Sequence, residues 1–215
     1  IHFNVLSTNQ NPVANNDQFS ALIGHDIFGN VLSNDTDVDG DTLSVQDSVF
    51  TTAQGGQVHL NADGSFLYDP RADFFGADSF TYTAFDGKGG QSSATVNLDV
   101  TLPSGTVFGT NRNDCLNGTK RDDVIFGLNG HDHIEGNKGN DLIFGGNGND
   151  EKRGNQGNDR RYGDAGHDVL WGDDGSDLLF GGADRDELSG GVGNDTLNGG
   201  SGCDELEGGN GADTF

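Results

Sequence analysis

Twelve aspartates recur every nine residues through the second half of the chain: Asp114, Asp123, Asp132, Asp141, Asp150, Asp159, Asp168, Asp177, Asp186, Asp195, Asp204 and Asp213. Each stands five places after a glycine, from Gly109 and Gly118 onward to Gly208, and no insertion breaks the run. Counting that glycine as position 1 puts aspartate at position 6 and, in most units, a large apolar residue at position 8. With backbone carbonyls, such carboxylates supply the six to eight hard oxygens at about 2.3–2.6 Å that Ca²⁺ takes; Mg²⁺ demands a tighter octahedron and keeps its waters. Glycine lets a turn adopt φ > 0 and brings carbonyls close together. Gly127, Gly145, Gly163, Gly181, Gly190 and Gly199 therefore count with the aspartates as candidate ligands.

The elements that must position these groups follow from the period. A six-residue turn and a three-residue strand make one unit, with position 8 pointing inward and positions 7 and 9 outward. Two units form a coil of 18 residues around a thin core, so repeats n and n+2 stack about 4.8 Å apart. The carboxylates then form columns that would repel one another without a cation. Twelve repeats allow at most ten such pairs, and fewer sites are expected because Arg112, Arg121 and Asp184 stand at position 4. The bland alternative is a Gly/Asn/Asp-rich disordered tail, favoured when Ca²⁺ is absent.

Units such as Gly190-Gly191-Val192-Gly193-Asn194-Asp195-Thr196-Leu197-Asn198 resemble the nonapeptide repeat of RTX proteins, G-G-x-G-x-D-x-U-x. That resemblance implies a Ca²⁺-loaded parallel β-roll with several ions over residues 109–215.

Two departures stand out. Position 8 carries Lys152 and Arg161 in adjacent repeats, facing each other across one coil. Buried like charges without partners are very costly. The coil opens to let them reach water, or the roll divides into two stacks, or the sequence is in error; opening is the expectation. On even repeats, the outward positions form a ladder of Val124, Leu142 and Leu178 beside Phe126, Phe144, Tyr162 and Phe180, while the odd face is mostly polar, Trp171 apart. The ladder is expected to be an interface for self-association, for the first domain, or for a ligand such as polysaccharide or another cell-surface molecule. Strand propensity alone would also place such residues there.

The first half reads differently. Short alternating runs, Gln57–Leu60, Ser65–Tyr68, Ser79–Thr83 and Ala94–Val100, are separated by Asn, Asp and Gly turns, which is a sandwich pattern. The order Asn15-Asn16-Asp17, Val31–Leu43, Asp63–Pro70, Phe75–Tyr82 and Asp86-Gly87 resembles the cadherin-like tandem repeat of large bacterial adhesins. The resemblance implies an immunoglobulin-type β-sandwich, often Ca²⁺-dependent. Asp35, Asp37, Asp39 and Asp41 crowd one loop, but Gln46 stands where an EF-hand needs a bidentate Glu. Asp35, Asp37 and Asp39 are the candidate ligands, with Asp17, Asp78 and Asp86 weaker; a solvated Asx turn is the competing reading. The expected organisation is all-β: a sandwich over residues 1–102, a linker and cap over 103–108 with Val107 and Phe108 covering the first coil, then the roll. Ile1–Val5 reads as a lone strand from a preceding repeat or an exchanged one.

Thirty-five acidic and 11 basic residues give a net charge of −24, spread over both halves. Nucleic acid and anionic membrane are therefore poor partners, and no stretch is apolar enough to span a bilayer. At 31% hydrophobic residues, an ordinary core is short of material, which ties folding to cation binding. Cys115 and Cys203 lie ten repeats apart, too far to bridge within one roll, so they are free or meet another chain. The histidines lack zinc spacing and no nucleophile elbow occurs, so no enzyme is expected. The reading is an extracellular Ca²⁺-binding adhesion or matrix protein, as the resemblance implies a type I secretion substrate. Its alternatives are a self-assembling surface-layer or filament subunit and the accessory module of a secreted hydrolase.

Overall fold

The computed structural model describes residues 8–215, so the strand expected at Ile1–Val5 lies outside the described residues. The chain divides into two units, Ile1–Leu102 and Pro103–Phe215.

The first unit is a two-sheet sandwich. One sheet pairs β1 (Asp17–Leu22), β7 (Gln91–Thr101) and β6 (Gly76–Phe85) in that order; the other pairs β2 (Ile27–Asn30), β5 (Ser65–Asp69), β4 (Gln57–Leu60) and β3 (Ser48–Thr51). All contacts are antiparallel except β1 with β7, which run parallel. Alternation decides the core: Val58, Leu60, Phe66 and Tyr68 face inward from one sheet, and Phe80, Tyr82, Ala94, Val96, Leu98 and Val100 from the other. Phe66 meets Phe80 edge to face across the sheets at 5.4 Å. Strands β1 to β3 were not among the runs that alternation picked out.

The second unit is a parallel solenoid of two six-stranded sheets. Even repeats supply β10 (Val124–Asn129), β12 (Leu142–Asn147), β14 (Arg160–Ala165), β16 (Leu178–Ala183) and β18 (Thr196–Ser201), with β8 (Val107–Phe108) at their edge. Odd repeats supply β9 (Cys115–Asn117), β11 (His133–Lys138), β13 (Glu151–Gln156), β15 (Val169–Asp174), β17 (Glu187–Val192) and β19 (Glu205–Asn210). The register is 18 residues throughout, as in Ile125↔Ile143 and Leu170↔Leu188. Val107 and Phe108 pair with Ile125 and Phe126, so the cap adds a strand to the even sheet.

The strands correct one expectation. From β10 onward they run six residues, not three, because positions 1 to 3 of the following repeat stay paired with the neighbouring coil. Position 8 is fully inward: Ile125, Ile134, Ile143, Leu170, Leu179, Leu188 and Leu197 are buried. They form two apolar clusters, Ile125 to Ile143 and Leu170 to Leu197. Between them stand Lys152 and Arg161, each 0% exposed. The coil therefore does not open, contrary to expectation; it stays shut because both cations find buried anions.

Candidate metal centre

The position-6 aspartates form two columns, one along the odd turns and one along the even turns. In each column the backbone N–H of one aspartate donates to Oδ1 of the aspartate one coil later. Examples are Asp114 to Asp132 at 2.8 Å, Asp141 to Asp159 at 2.7 Å and Asp195 to Asp213 at 3.0 Å. Every step from Asp114 and Asp123 to Asp204 and Asp213 carries this bond. One carboxylate oxygen thus holds the stack together.

The second oxygen tests whether a cation fits. Oδ2 of Asp132, Asp141, Asp168, Asp177, Asp186 and Asp195 is buried and has no hydrogen-bond partner. Buried carboxylate oxygens are normally satisfied, and leaving one bare is costly. The surrounding wall is backbone. A Cβ on Gly127 would stand 2.5 Å from the Gly145 carbonyl oxygen and 2.7 Å from Asp132 Oδ2; on Gly190 it would meet the Gly208 carbonyl and Asp195 Oδ2 at 2.5 Å. Gly163 and Gly181 are enclosed in the same way, whereas Gly145 also meets Lys152 Nζ and the nearest atoms to Gly199 all belong to Asp204. Paired carboxylates and a position-1 carbonyl, with no side chain between them, form a donor set suited to Ca²⁺, which neutralises the column.

Electrostatics point the same way. Burial pushes Asp141 up to about 7, helped by Asp159 and Asp123. Burial likewise lifts Asp168 and Asp177 to about 6, although Lys152 and Arg161 respectively pull them down. Asp132, Asp186 and Asp195 are raised by burial as well.

The first two gaps are closed by the protein. Asp114 Oδ2 accepts the N–H and hydroxyl of Thr110 at 2.7 and 2.8 Å, and Asp123 Oδ2 those of Thr119 at 2.6 and 2.9 Å. Position 2 of the later repeats is left-handed, as at Leu128 (φ 81°) and Gly146 (φ 97°). Threonine is β-branched and avoids that region, so it turns onto the aspartate instead. Thr110 and Thr119 at position 2 thus hold Oδ2 in the same two repeats that carry Arg112 and Arg121, a signal the sequence reading missed. Asp184, at position 4, is also left-handed at φ 77°.

Position 5 was also missed. Its side chains accept backbone N–H groups one coil away, as in Asn158 to Asn140 Oδ1 at 2.8 Å and Asn149 to His131 Nδ1 at 2.8 Å. This ladder explains the frequent Asn before each Asp.

In the sandwich the structure separates the acidic candidates. Asp37, Asp41 and Asp86 bring carboxylate oxygens within 4.8 Å of one another. Oδ2 of Asp37 and Asp41 has no hydrogen-bond partner, although Asp41 Oδ1 pairs with Lys88. Of the expected trio Asp35, Asp37 and Asp39, only Asp37 belongs to this group. Asp35 accepts Asn15 N–H and the Tyr82 hydroxyl, both at 2.8 Å, and Asp39 accepts Gln10 N–H at 2.7 Å. Asp78 is buried and holds Thr52, Tyr68 and Ser79. Asp17 is buried too, lifted to about 6 by burial and by nearby Asp35, with the Tyr82 hydroxyl opposing. Asp86 approaches Asp37 and Asp41 through the fold, which loop spacing does not reveal.

The even-face ladder is a continuous stack. Phe108, Phe126, Phe144, Tyr162 and Phe180 lie face to face at 4.8–5.1 Å. Val124, Phe126 and Phe144 are 8%, 6% and 3% exposed, while Leu142, Tyr162, Leu178 and Phe180 are half-buried. On the odd sheet Arg153 lies over Trp171 at 4.3 Å. Cys115 and Cys203 are free and exposed.

Comparison with known families gives two matches. Residues 9–102 match the bacterial cadherin-like domain. The RTX calcium-binding nonapeptide repeat matches in four copies, at residues 108–142, 117–151, 153–188 and 183–215. No curated protein matches the chain.

Proposed function

Since this chain belongs to two families in tandem, a bacterial cadherin-like domain followed by RTX calcium-binding nonapeptide repeats, we infer that it is a secreted, calcium-folded structural protein of surface attachment. The observation that carries this reading is the set of buried, unpartnered Oδ2 atoms of Asp132, Asp141, Asp168, Asp177, Asp186 and Asp195. At low calcium those carboxylates repel one another within a thin core, and the unfolded chain is favoured. At millimolar external calcium, each ion bound only by the folded roll adds stability, about 2.7 kcal/mol when its concentration is 100 times Kd. An acidic repeat that stays unfolded inside the cell and stiffens outside suits export followed by anchoring. Both matched families are structural or calcium-binding rather than catalytic.

Thermal unfolding of the full chain tests the folding half: millimolar Ca²⁺ should add a transition that chelator removes. Beads coated with the chain test attachment. They should bind cells or polysaccharide in Ca²⁺ and release them in chelator; equal retention in both would overturn the role.

A further inference from the structure

We propose that Lys152 and Arg161 are tethered replacements for calcium, each filling one intercoil site of its own column so that the central coil holds together without the metal. The inference rests on the calcium reading above. Its evidence is that both side chains end among the donors that define every gap. Lys152 Nζ lies 3.4 Å from Asp150 Oδ2, Asp168 Oδ1 and the Gly163 carbonyl oxygen. These are the position-6 carboxylates of repeats five and seven and the position-1 carbonyl of repeat seven. Arg161 repeats the arrangement in the other column. Its Nη2 lies 3.2 Å from Asp177 Oδ1, 3.7 Å from Asp159 Oδ2 and 3.4 Å from the Gly172 carbonyl oxygen, and Nη1 donates to Trp171 O.

The match is positional. Both side chains start from position 8, where the other repeats carry Leu, Ile or, in the last, Phe, and both are 0% exposed. A buried charge survives only when paired, and here each monocation sits between two carboxylates. Each head lies against the position-1 glycine of its own repeat: a Cβ on Gly145 or Gly154 would collide with Lys152 Nζ or Arg161 Nη1. The space is filled, and a divalent ion there would meet a fixed positive charge.

The arithmetic of the roll follows. Ten gaps separate repeats n and n+2. Thr110 and Thr119 close the first two, and Lys152 and Arg161 occupy the fifth and sixth. The remaining six are those whose lower carboxylate is Asp132, Asp141, Asp168, Asp177, Asp186 or Asp195 and whose Oδ2 has neither hydrogen-bond nor ion-pair partner. The cation pair also lies where the apolar core divides. It therefore clasps the two calcium-dependent stacks and gives the roll a seed that forms before calcium arrives.

Calcium stoichiometry of the full chain tests this. Lys152→Leu and Arg161→Leu restore the usual position-8 residue, so the fold should survive in Ca²⁺. By native mass spectrometry each should bind one more ion than the parent, and the double variant two more. Lys152→Arg keeps a cation and should match the parent. Folded leucine variants with unchanged stoichiometry would overturn the proposal. Should they fail to fold, the parent decides by hydrogen exchange in chelator. The amides of Asp150 and Asp159 should exchange more slowly than those of Asp186 and Asp195, and equal exchange would overturn the proposal. A parent that binds no calcium would instead defeat the reading beneath it.

Discussion

Asp168 accepts the backbone N–H of Asp150 through Oδ1 at 2.8 Å and keeps Oδ2 buried without a hydrogen-bond partner. One carboxylate thus builds the stack with one oxygen and offers the other to a cation. The separation of these two jobs makes the following expectations specific.

Asp186→Asn keeps an oxygen for the Asp168 N–H but loses the charge. It should remove about one ion and lower the thermal midpoint in Ca²⁺ by several degrees. Asp123→Asn, where Thr119 already holds Oδ2, should leave the ion count unchanged. Calorimetric titration of both variants checks the contrast.

The pH dependence has a definite sign. Burial holds Asp141 at about 7 and Asp168 and Asp177 at about 6, above the unfolded value near 3.8. Without calcium these groups favour the roll at low pH, and that contribution is lost as pH rises from about 4 through 7. Metal-free protein should therefore show more β-structure by circular dichroism at pH 4.5 than at pH 8. In parallel, apparent Ca²⁺ affinity should weaken below pH 7 as protons compete. A metal-free spectrum that loses β-structure on acidification would contradict this account.

The sandwich aspartates should divide by role. Asp78→Ala strips partners from buried Tyr68 and Thr52 and should cost about 2–3 kcal/mol with or without calcium. Asp37→Ala should lower the midpoint more in Ca²⁺ than in chelator, because its loss there includes a ligand. Thermal melts in both conditions separate the two.

Phe144→Ala should destabilise the roll itself by about 3 kcal/mol in Ca²⁺, since the ring is 3% exposed and stacked on both Phe126 and Tyr162. Phe108→Ala, at the end of the stack and 46% exposed, should cost far less. Chemical denaturation measures both.

Much of this was legible because the repeat dictates it. The nine-residue period fixed the 18-residue register, the two columns and the inward position 8, for which backbone geometry leaves few alternatives. Spacing could not show where long side chains go. Lys152 and Arg161 looked like a breach of the core; the short step from position 8 to the position-6 column turns them into partners for Asp150, Asp159, Asp168 and Asp177. The roles of Thr110 and Thr119 depend on β-branching at a left-handed position, a local rule the periodic pattern hides. In the sandwich, Asp86 reaches Asp37 only through long-range folding, and loop composition carries no trace of it.

Hydrogen exchange of the full chain at neutral pH, with millimolar Ca²⁺ and then with excess chelator, tests the central claim most directly. The amides of Asp132, Asp168, Asp177 and Asp186 each donate to the next carboxylate in their column. They should be strongly protected in Ca²⁺ and exchange rapidly in chelator. Equal protection in both conditions would mean that the roll stands without the metal, and calcium-driven folding would be wrong.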